Sequence, residues 1–275
     1  MVKKRKQKMK LIFKSILSLS LLVFSSGKIM SQSTTVILKD NWRFSKAVKG
    51  DAFAADYDAS KWEKVSVPHD WAIYGPFDKE WDKQVSAIEQ NGEKIPTEKT
   101  GRTGSLPHIG TGWYRNTFSL PEFKKGKKAL LIFEGAMSEP QVFLNGKKIG
   151  EWGYGYSYFY IDITKDLKEG SKNVLAVKLT NLPFSSRWYP GAGLYRNVSI
   201  VVKEEDNFVQ WGTFITTPEM KGDDAVVDIK AEVNGNNLSM VTEIKDANNA
   251  IVATQKGTEM KDGKLHQTIS VAKPH

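Results

Sequence analysis

Apolar and polar residues alternate with a period of two along much of the chain after its first thirty or so residues. Leu175, Val177 and Leu179 alternate with Ala176 and Lys178, and Val198, Ile200 and Val202 surround Ser199 and precede Lys203. Val227, Ile229, Ala231 and Val233 interleave with Asp228, Lys230 and Glu232. Successive side chains of a strand point to opposite faces, so each run predicts a half-buried β-strand. Gln141 to Gly150 reads as strand, Asn145-Gly146, strand; both central residues tolerate positive φ, which predicts a hairpin. No long stretch keeps a helical period, and the one short candidate is a turn at Asp58 to Trp62 that Asp58 would cap. The expected fold class is all-β. Short strands, one-sided apolar patterns and Gly, Pro, Asn and Asp punctuation predict packed antiparallel sheets rather than a parallel α/β sheet.

These strands divide into two expected sandwiches. One runs from Thr34 to Lys203 and includes a Gly- and Lys-bearing excursion from Phe77 to Ile109. The other runs from Asn207 to His275, with the charged sequence KEED between them. The second is shorter than the roughly 100 residues of an immunoglobulin-type domain, and only AKPH follows its last strand candidate, Leu265 to Val271. A sandwich without its closing strand keeps an open edge. The second domain is therefore expected to be incomplete and the chain to be a fragment of a longer protein.

Ahead of the first strand lies MVKKRKQKMKLIFKSILSLSLLVFSSGKIMSQS: a basic stretch, an apolar run from Leu11 to Phe24, then small and polar residues. This is the layout of a secretory signal peptide, expected over residues 1–31, and the apolar run is shorter than the ~20 residues of a spanning helix. It changes the meaning of the charge. The formal net charge is +9, and removal of Lys3, Lys4, Arg5, Lys6, Lys8, Lys10, Lys14 and Lys28, with no acid among them, leaves +1. A nucleic-acid partner is thereby excluded as the explanation of the basic balance. Hydrophobic residues at 40% and charged residues at 26% are globular usage. The absence of cysteine removes disulfides, thiolate chemistry and cysteine zinc sites, and in an exported protein it favours a bacterial periplasmic or secreted setting.

Chemistry is harder to place. Seven of the eight tryptophans, at 42, 62, 71, 81, 113, 152 and 188, fall in the first sandwich or its loops. An indole can stack on a sugar ring or fill a core. Trp71 and Trp188 are the two expected to be available for stacking, because VPHDWAIYGPF and SSRWYPGAG are loop-forming sequences. His69 and Asp70 are adjacent but lack a nucleophile to complete a triad. The histidines at 69, 108, 266 and 275 have no metal-ligand spacing. Asp78, Glu80 and Asp82 lack the pattern of a calcium loop, and the glycines at 101, 104 and 112 precede no helix that would cradle a phosphate. Neither a metal nor a cofactor is expected in this chain. Residue chemistry alone leads to an exported, tryptophan-rich β-sandwich protein.

The ordered set VPHDWAIYGPF, AIEQNGEKIPTEKTGRTGSLPHIGTGWYRNTF, FLNGKKIGEWGYGYSYFYIDIT, NVLAVKLTN and SRWYPGAGLYRNVSI resembles the amino-terminal sugar-binding domain of glycoside hydrolase family 2, of the β-galactosidase type found in Bacteroides-like bacteria. The likeness spans Asp40 to Lys203, and the stretch after Asn207 resembles the immunoglobulin-like domain that follows in that family. It implies a galactose-binding-like jelly roll, a partial immunoglobulin-like sandwich, and a (β/α)₈ barrel outside this chain that holds both catalytic glutamates, so no catalytic residue is carried over. The implied substrate-binding positions are His69, Asp70 and Trp71 in one loop and Arg187, Trp188 and Tyr189 in another. Docking on the barrel alone is the competing role for both loops. Ser186 stands where well-known galactosidases place a cation-binding acid, which puts that metal role in doubt. The implied partners are a β-linked oligosaccharide or polysaccharide and the barrel; homo-oligomerisation stays open. A free-standing carbohydrate-binding module and a structural envelope sandwich are the alternatives.

Overall fold

The computed structural model describes residues 33–274 except 47, 76–77, 79–83, 88–90, 100–109, 182–190 and 237. The expected signal peptide, residues 1–31, lies outside the described residues, as do Trp81 and His108. Among the described residues there is no α-helix, and the regular structure consists of strands, numbered here in chain order from β1 to β17.

Two sheets form the first sandwich. One has the order β1 (Ser33–Ile37), β12 (Val198–Lys203), β7 (Lys128–Phe133), β10 (Phe159–Asp162). The other has the order β3 (Glu63–Val65), β2 (Trp42–Ser45), β6 (Gly110–Phe118), β11 (Asn173–Asn181), β8 (Gln141–Leu144), β9 (Lys147–Glu151). The pairings within both sheets are antiparallel. Alternation sets which side chains meet between the sheets. Leu131, Phe133, Ile200 and Val202 from one sheet share a core with Trp42, Phe44, Tyr114, Leu144, Leu175, Val177 and Leu179 from the other. The indole N–H of Trp42, fully buried, donates to the Leu38 carbonyl at 2.7 Å, so the largest core ring carries no orphaned donor.

The six-stranded sheet is also covered on its outer face, which the alternation did not announce. Ala52, Trp113, Phe143 and Ala176 form a second apolar cluster against Phe53, Tyr57 and Trp62. Within it the guanidinium of Arg115 donates to the carbonyls of Ala52 and Ala55 and lies over the Tyr57 ring at 5.6 Å. Burial pulls its pKa down from the usual arginine value, and backbone carbonyls stand in for the missing water. Asp58 accepts from the Ser60 N–H at 2.8 Å, so the sequence's one helix candidate is a single capped turn.

The predicted hairpin is β8 and β9, with Asn145 at φ 55° and Gly146 at φ 87°. Asn145 is fixed further by its side chain, which accepts from Val174 N–H at 3.0 Å and donates to Asn173 Oδ1 at 2.9 Å. The excursion after residue 77 contains a short ribbon, β4 (Gln84–Ser86) paired with β5 (Thr97–Lys99). Beyond Lys203, β13 (Asn207–Lys221), β14 (Asp224–Asn234) and β17 (Lys264–Val271) make a three-stranded sheet, and β15 (Ser239–Lys245) pairs with β16 (Ile251–Glu259). Their own core joins Ile229, Ala231, Val233, Met240, Leu265 and Ile269. β17 alternates buried and exposed residues along its whole length.

Gly112 shows how tightly the first core closes: a Cβ there would lie 2.5 Å from Trp71 Cζ3 and 3.0 Å from Phe44 Cε2. Gly112→Ala is expected to cost about 1–3 kcal/mol through overpacking. Gly153→Ala, where nothing lies within 4 Å, is expected to change stability by less than about 0.5 kcal/mol. Equal midpoints for the two variants in chemical denaturation would refute this packing.

Candidate functional site

One rim of the first sandwich is built by backbone pairing between chain segments distant in sequence. Trp71 N–H donates to the Ala192 carbonyl at 2.8 Å and His69 N–H to the Leu194 carbonyl at 2.7 Å. Met137 and Gly193 exchange two hydrogen bonds, each of 2.9 Å. Thr180 N–H reaches the Ser138 carbonyl at 2.8 Å, and the Asn181 side chain donates to the Gly191 carbonyl at 3.2 Å. Gly193 sits at φ 129°, and a Cβ there would collide with the His69 carbonyl and the Tyr114 hydroxyl. Only glycine lets these segments close up.

Asp70 is half-buried at this junction. Its Oδ1 accepts from the N–H groups of Ala72 at 2.9 Å and Ala192 at 3.0 Å, tying its own loop to the 191–194 segment. Its Oδ2 faces Gly191, where a Cβ would stand only 2.9 Å away. His69, also half-buried, has Nδ1 2.7 Å from the Tyr114 hydroxyl. Burial lowers the pKa of His69 from 6.5, and burial lifts that of Tyr114 well above 10.0. Both are therefore neutral at pH 7. A neutral imidazole carries one N–H, on Nδ1 or on Nε2, and the hydrogen bond with Tyr114 takes its direction from that tautomer. The ring is packed against Phe44 at 5.0 Å and against the exposed Tyr74 at 6.4 Å.

Trp71 corrects an expectation. Its indole is 3% exposed, stacked on Phe44 at 5.4 Å and 20°, in the core beside Tyr114. Its position in a loop-forming sequence suggested a free stacking face; the missing side chain at Gly112 instead makes a slot for the ring inside the sandwich. Arg187, Trp188 and Tyr189 lie outside the described residues. The residues that bound their segment, Asn181 and Gly191, are joined to each other and adjoin Asp70. Tyr114, which holds His69, went unnoticed in the sequence; its signal was a tyrosine at an inward position of a strand, whose hydroxyl must find a buried partner.

The chemistry available on this rim is polar recognition: a carboxylate oriented by two backbone donors and an imidazole, next to an exposed tyrosine. Among the described residues no group of three or more His, Asp or Glu could hold a metal ion.

Residues 36–214 match the family model described as glycosyl hydrolases family 2, sugar binding domain. The chain is 34% identical over 218 residues to a putative β-glucuronidase of Formosa agariphila, a match covering 78% of this chain and 19% of that protein. It is 32% identical over 260 residues to a β-galactosidase of Bacteroides ovatus, covering 91% of this chain and 29% of that one. Among solved structures, a β-glycosidase from Bacteroides vulgatus superposes with a TM-score of 0.74 at 27% identity, over 88% of this chain and 29% of that chain. A family 2 glycosyl hydrolase from Bacteroides cellulosilyticus does so with a TM-score of 0.73 at 27% identity, over 88% and 31%. The chain thus spans between about a fifth and a third of the length of these proteins.

Two outcomes follow from the rim geometry. Asp70→Ala removes an acceptor shared by two backbone donors and is expected to cost about 1–3 kcal/mol, whereas Asp70→Asn, which keeps Oδ1, should lose less than half of that in thermal or urea melts. For His69, the folded-state pKa lies below the unfolded value of 6.5. The unfolded state therefore binds more protons as pH falls below about 6.5, and stability drops with it until the folded pKa is passed. Wild type is expected to lose more stability than His69→Gln between pH 7.5 and 5.5; parallel stability curves for the two would contradict the assignment.

Proposed function

Because this chain belongs to glycoside hydrolase family 2, we propose that it is the amino-terminal, non-catalytic part of an exported retaining exo-β-glycosidase, with a jelly-roll domain over residues 34–203 and an immunoglobulin-like domain from 207. The observation that carries this reading is the family match across residues 36–214, together with alignments that cover 19% and 29% of two relatives. Retaining glycosidases act through two carboxylates roughly 5 Å apart. In this reading both belong to a barrel outside the chain, and the rim supplies positioning. Asp70 accepts hydrogen bonds from sugar hydroxyls and His69 presents its Nε2 to them. Arg187, Trp188 and Tyr189 complete the wall of the pocket, with Arg187 binding a hydroxyl or holding a neighbouring carboxylate.

The relatives' names support two sugars. A β-galactoside is the first reading, and a β-glucuronide is the second, favoured by the putative β-glucuronidase at 34% identity. The partners are then a β-linked glycan and the barrel. The reading also places the protein in the bacterial periplasm or outside the cell, which the basic and apolar composition of residues 1–31 supports.

The test is hydrolysis of nitrophenyl β-D-galactoside and β-D-glucuronide by the chain alone and by the chain extended with whatever coding sequence follows His275. Activity is expected only in the extended protein, and Asp70→Asn there should raise KM about tenfold with a smaller change in kcat. Turnover by the 275-residue chain itself would place a catalytic pair within it and overturn the proposal.

A further inference from the structure

The sequence from Trp152 to Tyr160 carries tyrosines at 154, 156, 158 and 160, and they do not enter the core. Together with Trp152 and Trp211 these rings are between 38% and 59% exposed. Single exposed aromatics are ordinary on a protein surface, but a contiguous patch of them marks a binding surface. Phe159 alone turns inward, stacking on Phe133 at 4.7 Å and on Trp152 at 5.6 Å. Tyr158 and Tyr160 meet Trp211 edge to face, at 6.1 and 5.3 Å and both at 72°.

Two further features set this patch apart from incidental exposure. Trp211 has φ 59°, a left-handed conformation rare for a bulky residue, where the register of β13 against β14 shifts between Phe208 and Thr213. A bulge of this kind re-aims a side chain, here an indole directed at two tyrosines. Arg196 is exposed, with its guanidinium 6.0 Å from the Tyr158 ring and 5.7 Å from the Tyr195 ring, and it has no carboxylate at ion-pair distance among the described residues. Among the described residues its planar fork is met by aromatic faces and by no carboxylate.

The patch adjoins the rim described above. The Tyr195 hydroxyl donates to the Gly155 carbonyl at 2.8 Å, Gly155 packs against the Met137 sulfur, and Met137 pairs with Gly193. The two surfaces are thus linked through Gly155, Met137 and Gly193.

We propose that Tyr154, Tyr156, Tyr158 and Trp211 together with Arg196 bind an acidic oligosaccharide, with pyranose C–H faces against the rings and a uronate carboxylate on the guanidinium. The unpaired cation selects an acidic over a neutral glycan, and the flat, stiff rings select sugar faces. The inference rests on the glycosidase reading for its ligand class. Its test scores binding without turnover, so failure of one does not entail failure of the other.

The chain is titrated by calorimetry with a hyaluronan tetrasaccharide, alternating glucuronic acid and N-acetylglucosamine, and with the neutral β-1,4-galactose tetrasaccharide. The acidic probe should bind at least about tenfold more tightly than the neutral one, and Arg196→Gln and Tyr156→Ser should each weaken it about tenfold or more. Both substitutions are at exposed positions, and unchanged melts verify folding. Lys245→Gln, on β15, should leave the affinity as it is. No binding of the acidic probe, equal affinity for the two probes, or wild-type affinity in both patch variants overturns the proposal. So does a wild-type dimer in sedimentation that Tyr156→Ser disperses, since the rings would then face a second copy of the chain.

Discussion

The absence of a side chain at position 193 is the constraint on which the rim depends. Four contacts meet at Gly193: the His69 carbonyl and Tyr114 hydroxyl occupy the space a Cβ would take, and its own N–H and carbonyl are both taken by Met137. Any Cβ would push apart the 67–72 loop and the 191–195 segment, and with them the backbone donors that hold Asp70. A carboxylate held by two donors and an imidazole held by a buried hydroxyl are both products of this close approach. Local polarity is thus set by a steric allowance several residues away from the groups that would touch a ligand.

The polar groups under the rim are satisfied in a way that keeps charge out of the interior. Tyr114 and His69 are both driven toward neutrality by burial and share one proton-donating contact. Arg115, buried on the outer face of the six-stranded sheet, is met by carbonyls and an aromatic ring. An isolated buried charge would be far more expensive than either arrangement. Between its sheets the first sandwich packs apolar side chains, with the Tyr114 ring among them.

Much of the architecture was legible because it depends on local rules. The β8–β9 hairpin followed from two residues able to take positive φ, and alternation over 175–179, 198–202 and 227–233 marked the strands observed at 173–181, 198–203 and 224–234. What escaped depends on partners far along the chain. Trp71 has polar and turn-forming neighbours, yet its burial is decided by Gly112, forty-one residues on. His69 and Tyr114 are forty-five residues apart. The ribbon of β4 and β5 has strands of three residues each, too short to show any period. The alternating tyrosines before Asp162 were visible as letters, but which face they occupy is set by Phe159 entering the core and by Trp211 arriving from beyond Lys203. Of the candidate site, the position of Asp70 and His69 in a turn was readable, and the pairing that orients them was not.

The ring stack from Phe133 through Phe159 to Trp152 bears on how the tyrosine-bearing loop behaves. Its members lie nearly parallel, at 6° and 10°, and run from a fully buried ring to one at the surface. The Trp152 N–H then reaches across the loop to the Ser157 hydroxyl at 3.0 Å. The loop is thereby anchored to the core through three aromatic planes and closed on itself by one hydrogen bond. A partner arriving at this surface meets a loop already tied down at Trp152, Ser157 and Phe159, so the entropic penalty of ordering those positions falls on folding rather than on association.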